Sequence, residues 1–125
     1  MSSKTRYQEI PAYQTRDGSQ IRELMHPSLH EARNQSLAEA KVFPGQKTLL
    51  HRHQQTEEFY HITSGSGVMT LGDECFRVER GDTVCILPGT PHCIENDGNT
   101  DLNILCCCSP AYSHDDTELL AGDGQ

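Results

Sequence analysis

Apolar and polar residues alternate with a period of two over several short stretches of this chain. From Ser36 to Phe43, Ala38, Ala40 and Val42 fall on one side, as in a strand with one buried face. Pro44-Gly45 closes that run, and breakers then recur every several residues at Gly65/Gly67, Gly72-Asp73, Gly81-Asp82, Pro88-Gly89 and Asp97-Gly98. The runs between them, residues 59–63, 68–71, 75–78, 83–87 and 102–108, have strand length. Evenly spaced short strands with turn signals predict an all-β sandwich or barrel. No intervening stretch is long and helical enough for a βαβ unit, which excludes a parallel α/β sheet. Upstream, residues 10–15 and 19–25 read as strands flanking an Asp17-Gly18 turn, and His26-Pro27 interrupts them. Downstream, residues 113–120 read as a short helix capped by Ser113, followed by a frayed end over residues 121–125.

The candidate chemistry lies in His51-Arg52-His53-Gln54-Gln55-Thr56-Glu57-Glu58. Positions i and i+2 of a strand share a face, so His51 and His53 present two imidazoles side by side. A neighbouring strand that starts at Glu58 brings a carboxylate towards the same point, and His92, after the tight Pro88-Gly89-Thr90-Pro91 segment, is a fourth candidate. Three imidazoles and a carboxylate suit one divalent ion of Fe, Mn, Co, Ni, Cu or Zn, and leave about two positions of an octahedron open.

These residues stand in two spaced motifs. Gly45, His51, His53, Glu58 and Gly65 fit G-x5-H-x-H-x4-E-x6-G, and Gly81, Gly89, His92 and Asn96 fit G-x5-P-x-G-x2-H-x3-N except that Leu87 stands where the motif has its proline. In both motifs the chain resembles the cupins. The resemblance implies an antiparallel jelly-roll barrel (a double-stranded β-helix) and His51, His53, Glu58 and His92 as metal ligands. Glu58 is preferred to Glu57 because only it keeps the six-residue interval to Gly65. The resemblance divides the chain into an N-terminal arm, 1–35, able to exchange strands in a homodimer, a barrel, 36–112, and a tail, 113–125.

Strand parity sorts the remaining residues. Tyr60 and Ile62 share the Glu58 face and Ile94 the His92 face, which makes these three the pocket candidates, whereas Arg52 and His61 point away. His26, His30 and His114 are expected at the surface. Adjacent thiols of Cys106-Cys107-Cys108 cannot converge on one ion, so they read as small buried hydrophobes, at least one of them facing the interior.

The length of 125 residues fits one domain. A formal charge of −8 argues against nucleic-acid or anionic-membrane partners, and no apolar run approaches the ~20 residues of a membrane span. The N-terminus lacks the apolar core of a secretory signal, so the expected compartment is the cytoplasm and the six cysteines are expected as free thiols. The resulting expectation is a metalloenzyme acting on a small organic substrate. Oxygenation ranks ahead of isomerase or lyase chemistry because no acid–base group is evident outside the ligands. The alternative is a small-ligand sensor without catalysis.

Overall fold

The computed structural model describes residues 3–120. Its strands follow the turn signals: β1 (Tyr13–Gln14), β2 (Gln20–Met25), β3 (Ser36–Val42), β4 (His51–His53), β5 (Glu57–Ser64), β6 (Ser66–Leu71), β7 (Glu74–Glu79), β8 (Thr83–Ile86), β9 (His92–Glu95), β10 (Leu102–Ser109) and β11 (Thr117–Leu119). They form two antiparallel sheets, in the orders β1-β2-β3-β10-β5-β8 and β11-β4-β9-β6-β7. The result is the expected antiparallel jelly-roll barrel.

Period-two alternation decides which side chains fill it. In β3 the inward set is Ser36, Ala38, Ala40 and Val42, and in β10 it is Leu102, Ile104, Cys106 and Cys108. The large aliphatic side chains Val42, Ile62, Met69, Ile86, Leu102 and Ile104 are essentially inaccessible. Each such burial contributes about 1.5–3 kcal/mol relative to exposure. Val42 and Ile104 of this core also line a cavity together with the smaller or polar inward residues Ser36, Ala38, Ala40 and Thr48, which leaves room for a site.

Two of the motif residues work through the backbone. Gly65, with φ +84°, turns β5 into β6 so close to β10 that a Cβ there would lie 2.5 Å from the Asp101 carbonyl oxygen, a fit only glycine provides. Asn96 is fully buried, donates from Nδ2 to the Val42 and Thr100 carbonyls, and accepts the Gly98 N–H. The Leu87 substitution leaves its turn closed. Pro88 and Gly89 (φ +81°) occupy the central positions, and the Thr90 N–H donates to the Leu87 carbonyl at 3.1 Å.

The tail differs from expectation. Ser113 does cap a turn, accepting the Asp115 N–H, but the turn is a single 3-10 turn, His114–Asp116, and the chain then enters β11, paired antiparallel to β4. An edge strand of the second sheet is available there, and pairing with it satisfies more backbone groups than a short exposed helix would. The fraying expected over 121–125 lies outside the described residues. At the other end, β1 and β2 pair in sequence onto β3, so the arm extends the first sheet within the same chain.

Candidate metal centre

β4 carries His51 and His53 into the barrel and turns Arg52 outward, where it meets Glu118 of β11 at 2.7 Å. β9 pairs His92 directly opposite His51. β5 buries Glu58 and exposes Glu57, the parity expected from the motif interval. The three imidazoles stand with ring centroids 4.2 Å apart for His51–His92, 5.3 Å for His51–His53 and 5.4 Å for His53–His92. All four residues are at least 95% buried.

The outer ring nitrogens fix how the inner ones point. His51 Nδ1 lies 2.8 Å from the Leu49 carbonyl and His92 Nδ1 lies 2.9 Å from the Thr90 carbonyl. A carbonyl only accepts, so both nitrogens carry the proton and donate. His53 Nδ1 lies 3.0 Å from Thr117 Oγ1, whose own proton is already given to the Ser113 carbonyl, so His53 Nδ1 donates as well. In the neutral rings, each Nε2 then presents a bare lone pair. His53 Nε2 is 3.1 Å and His92 Nε2 is 3.7 Å from Glu58 Oε1, and His92 Nε2 has no hydrogen-bond partner among the described residues. Lone pairs of three imidazoles and a carboxylate, facing one another out of water, call for a cation between them. Donation of Nδ1–H to a carbonyl or hydroxyl is also how metal-binding histidines are commonly oriented.

Electrostatics agree with that demand. Burial, reinforced by His92, lowers His51 to about 4, which keeps it neutral. Burial alone would raise Glu58, but where no ion is bound a proton on the Nε2 side of His53 or His92, hydrogen-bonded to the carboxylate, outweighs burial and holds it at about 2, ionised; a metal ion takes the place of that proton. The donor set therefore fits a divalent transition ion, with His51, His53 and His92 close enough together to hold it and Glu58 beside them. Glu58 Oε2 accepts from the Cys108 thiol at 3.3 Å. Burial and the charge of Glu58 hold the Cys106 and Cys108 thiols and the Tyr60 phenol in their protonated forms.

A cavity of about 50 Å³ opens beside His51, His53 and Glu58. Tyr60 and Ile94 line it, as do Cys106 and Cys108, whereas Ile62 lies in the apolar core. His61 points outward to Thr83, and His26, His30 and His114 stay outside the cavity, bonded locally around Tyr112 and the 26–30 turn. One neighbour of the centre was not anticipated. Asp17, in the turn between β1 and β2, lines the cavity with Oδ2 3.8 Å from His51 Nε2. Its Oδ1 accepts from the Ser19 N–H and hydroxyl, and its carbonyl accepts the Leu49 N–H, which pins the turn over the site.

The profile of the Cupin_2 family, described as "Cupin domain", matches residues 30–108. The uncharacterized protein MJ1618 of Methanocaldococcus jannaschii is 57% identical over 117 residues, covering 94% of each chain. The tetracenomycin polyketide synthase protein TcmJ of Streptomyces glaucescens is 30% identical over 108 residues, 82% of this chain and 72% of that one. Among solved structures, a protein described as a predicted oxalate decarboxylase from Thermotoga maritima superposes with a TM-score of 0.74 at 27% identity, covering 84% of this chain and 96% of that one.

Proposed function

The chain belongs to the Cupin_2 family of cupin domains, and from that premise we propose that it is a metal-dependent enzyme in which His51, His53, His92 and Glu58 hold one divalent transition ion beside a small-molecule cavity. The observation that carries this reading is the convergence of three buried imidazoles, two of them with Nε2 facing Glu58 and His92 Nε2 without a partner among the described residues. When bound, the ion supplies Lewis-acid polarisation of a substrate oxygen. Relatives named for polyketide synthesis and for oxalate support an oxygen-bearing organic substrate.

Asp17 favours one reaction class over the others. Oxygenation ranks first only while no acid–base group is evident beyond the ligands, and Asp17 is such a group, held by Ser19 with its free oxygen towards His51. The reading is therefore proton transfer next to a polarised carbonyl, the step shared by isomerases, lyases and cyclases, with Asp17 as proton acceptor. The test is a panel of small carbonyl compounds in D2O with metal-loaded and metal-free protein. Metal-dependent deuterium incorporation at carbon is expected. Metal-dependent oxygen uptake without exchange would favour oxygenation, and saturable binding with neither would favour a sensor.

We further propose a cytoplasmic location and a homodimer. The outer face of the first sheet sets half-exposed Phe59 between Cys85 and Cys107, an apolar strip that supports the pairing of two barrels. Light scattering at micromolar concentration should give twice the chain mass of 14.0 kDa; a monomer would contradict it.

A further inference from the structure

Glu23 is a buried carboxyl that the metal centre does not use. On β2 it shares the inward parity of Ser19 and Ile21, and it is the only buried residue of that strand. It precedes the irregularity in the β2–β3 register, the kind of feature that re-aims a side chain. Its register partner is Ala38, which pairs with Cys106 and through it with Tyr60, so Glu23 sits three strands from the Tyr60 position of the same sheet. Its side chain lines the cavity that holds the histidines. Oε2 accepts from the Tyr13 hydroxyl at 3.1 Å, while Oε1 is fully buried and has no partner among the described residues.

A buried acceptor without a donor costs about 1–3 kcal/mol, so this oxygen asks for a partner. Glu23, Tyr13 and Tyr112 line both the cavity and a wider surface cleft of about 530 Å³, which puts Glu23 on the way from solvent to the histidines. The charge of the lining selects the partner. Among the described residues, neither cavity nor cleft is lined by lysine or arginine, and the cavity is lined by Asp17, Glu23 and Glu58. An anion meets no cationic side chain of lysine or arginine along this lining, only extra carboxylates on the way to the histidines.

We propose that Glu23 is the second anchor point of the substrate cavity, its Oε1 accepting a hydrogen bond from an amino or hydroxyl group of a small cationic or neutral substrate whose oxygen end reaches the histidine cluster. This rests on the reading that the cavity binds substrate beside a metal. The volume of about 50 Å³ is that of roughly two waters at ~30 Å³ each, which limits the ligand to a few heavy atoms.

The test uses the full-length protein loaded with Co(II) and two probes of similar size and opposite charge, ethanolamine and glycolate. Calorimetry compares them on the natural protein and on Glu23→Gln, with cobalt content measured on both. We expect unchanged cobalt content and a shift of about tenfold in the ethanolamine-to-glycolate affinity ratio towards glycolate in the variant, the size of one charge-assisted hydrogen bond. An unchanged ratio at unchanged cobalt content would overturn the role of Glu23 and leave the metal reading standing. Failure of the natural protein to take up cobalt would overturn both. Because Glu23→Gln can fail to fold, a crystal of the natural protein with ethanolamine gives a second measurement. Its ammonium nitrogen belongs within hydrogen-bond distance of Oε1, and any other position refutes the assignment.

Discussion

Asp17 and Glu58 are both carboxylates beside the same imidazoles, and their neighbours give them different work. Glu58 is enclosed, held down at about 2 and donated to by Cys108; Asp17 is anchored through one oxygen and keeps the other free towards His51. Replacing Asp17 with Asn should therefore leave metal content near the natural level and lower turnover by about a hundredfold or more, the usual yield of a positioned base. Elemental analysis beside a rate measurement checks it, and loss of the metal would instead make Asp17 a ligand. The direction of side chains was legible where parity and spacing decide it: Glu58 buried and Glu57 exposed, His51 and His53 inward, Arg52 outward. Asp17 was hidden because Asp-Gly reads correctly as a turn, and nothing local says that the turn is pulled over the barrel by the Leu49 N–H. The signal for Glu23 was present, as a charged residue in register with Ile21 on an inward face, but it stood out only once that face was known to be enclosed.

At the scale of elements, β11 orients the centre without contributing a ligand. It pairs Thr117 with His53, and the Thr117 hydroxyl relays between His53 Nδ1–H and the Ser113 carbonyl. Thr117→Val keeps the shape and removes the acceptor, so metal affinity should fall about 10–100-fold, the cost typical of losing such an outer partner. Competition with a chelator measures that loss, and circular dichroism should show the fold unchanged. An affinity equal to that of the natural protein would mean that His53 does not depend on this bond. The tail was misread for a physical reason. The capping signal of Ser113 with Asp115 and Asp116 is real and forms its turn, but three residues of strand are stabilised by an edge some 64 positions away in sequence, and no short-range pattern encodes that pairing.

For the whole molecule, the buried centre couples stability to protons and to metal. His51 is lowered to about 4 in the folded chain from 6.5, so between these values the unfolded chain binds more protons and acidification favours unfolding. Glu58, held at about 2, adds stability that is present above its ordinary value of 4.5 and is lost as pH falls towards 2. Relief of the net charge of −8 opposes the trend, but those charges are mostly at the surface and are screened at about 0.15 M salt. Metal-free protein should therefore melt about 5 °C or more lower at pH 4.5 than at pH 7. Loading with metal at a hundred times its dissociation constant should add about 2.7 kcal/mol at neutral pH. Calorimetric scans with and without chelator read both effects, and pH-independent melting of the metal-free form would contradict the neutral buried imidazole.

The alternation of β10 also sorts sulfur by reach. Cys107 faces outward and joins the exposed Cys75 and Cys85, while Cys106 and Cys108 are enclosed together with Cys93. A coloured disulfide reagent added to the native protein should therefore report three prompt thiols, and the remaining three should react only as fast as the barrel opens. The slow half of that colour change is an opening clock carried by the chain itself, usable before any substrate has been identified.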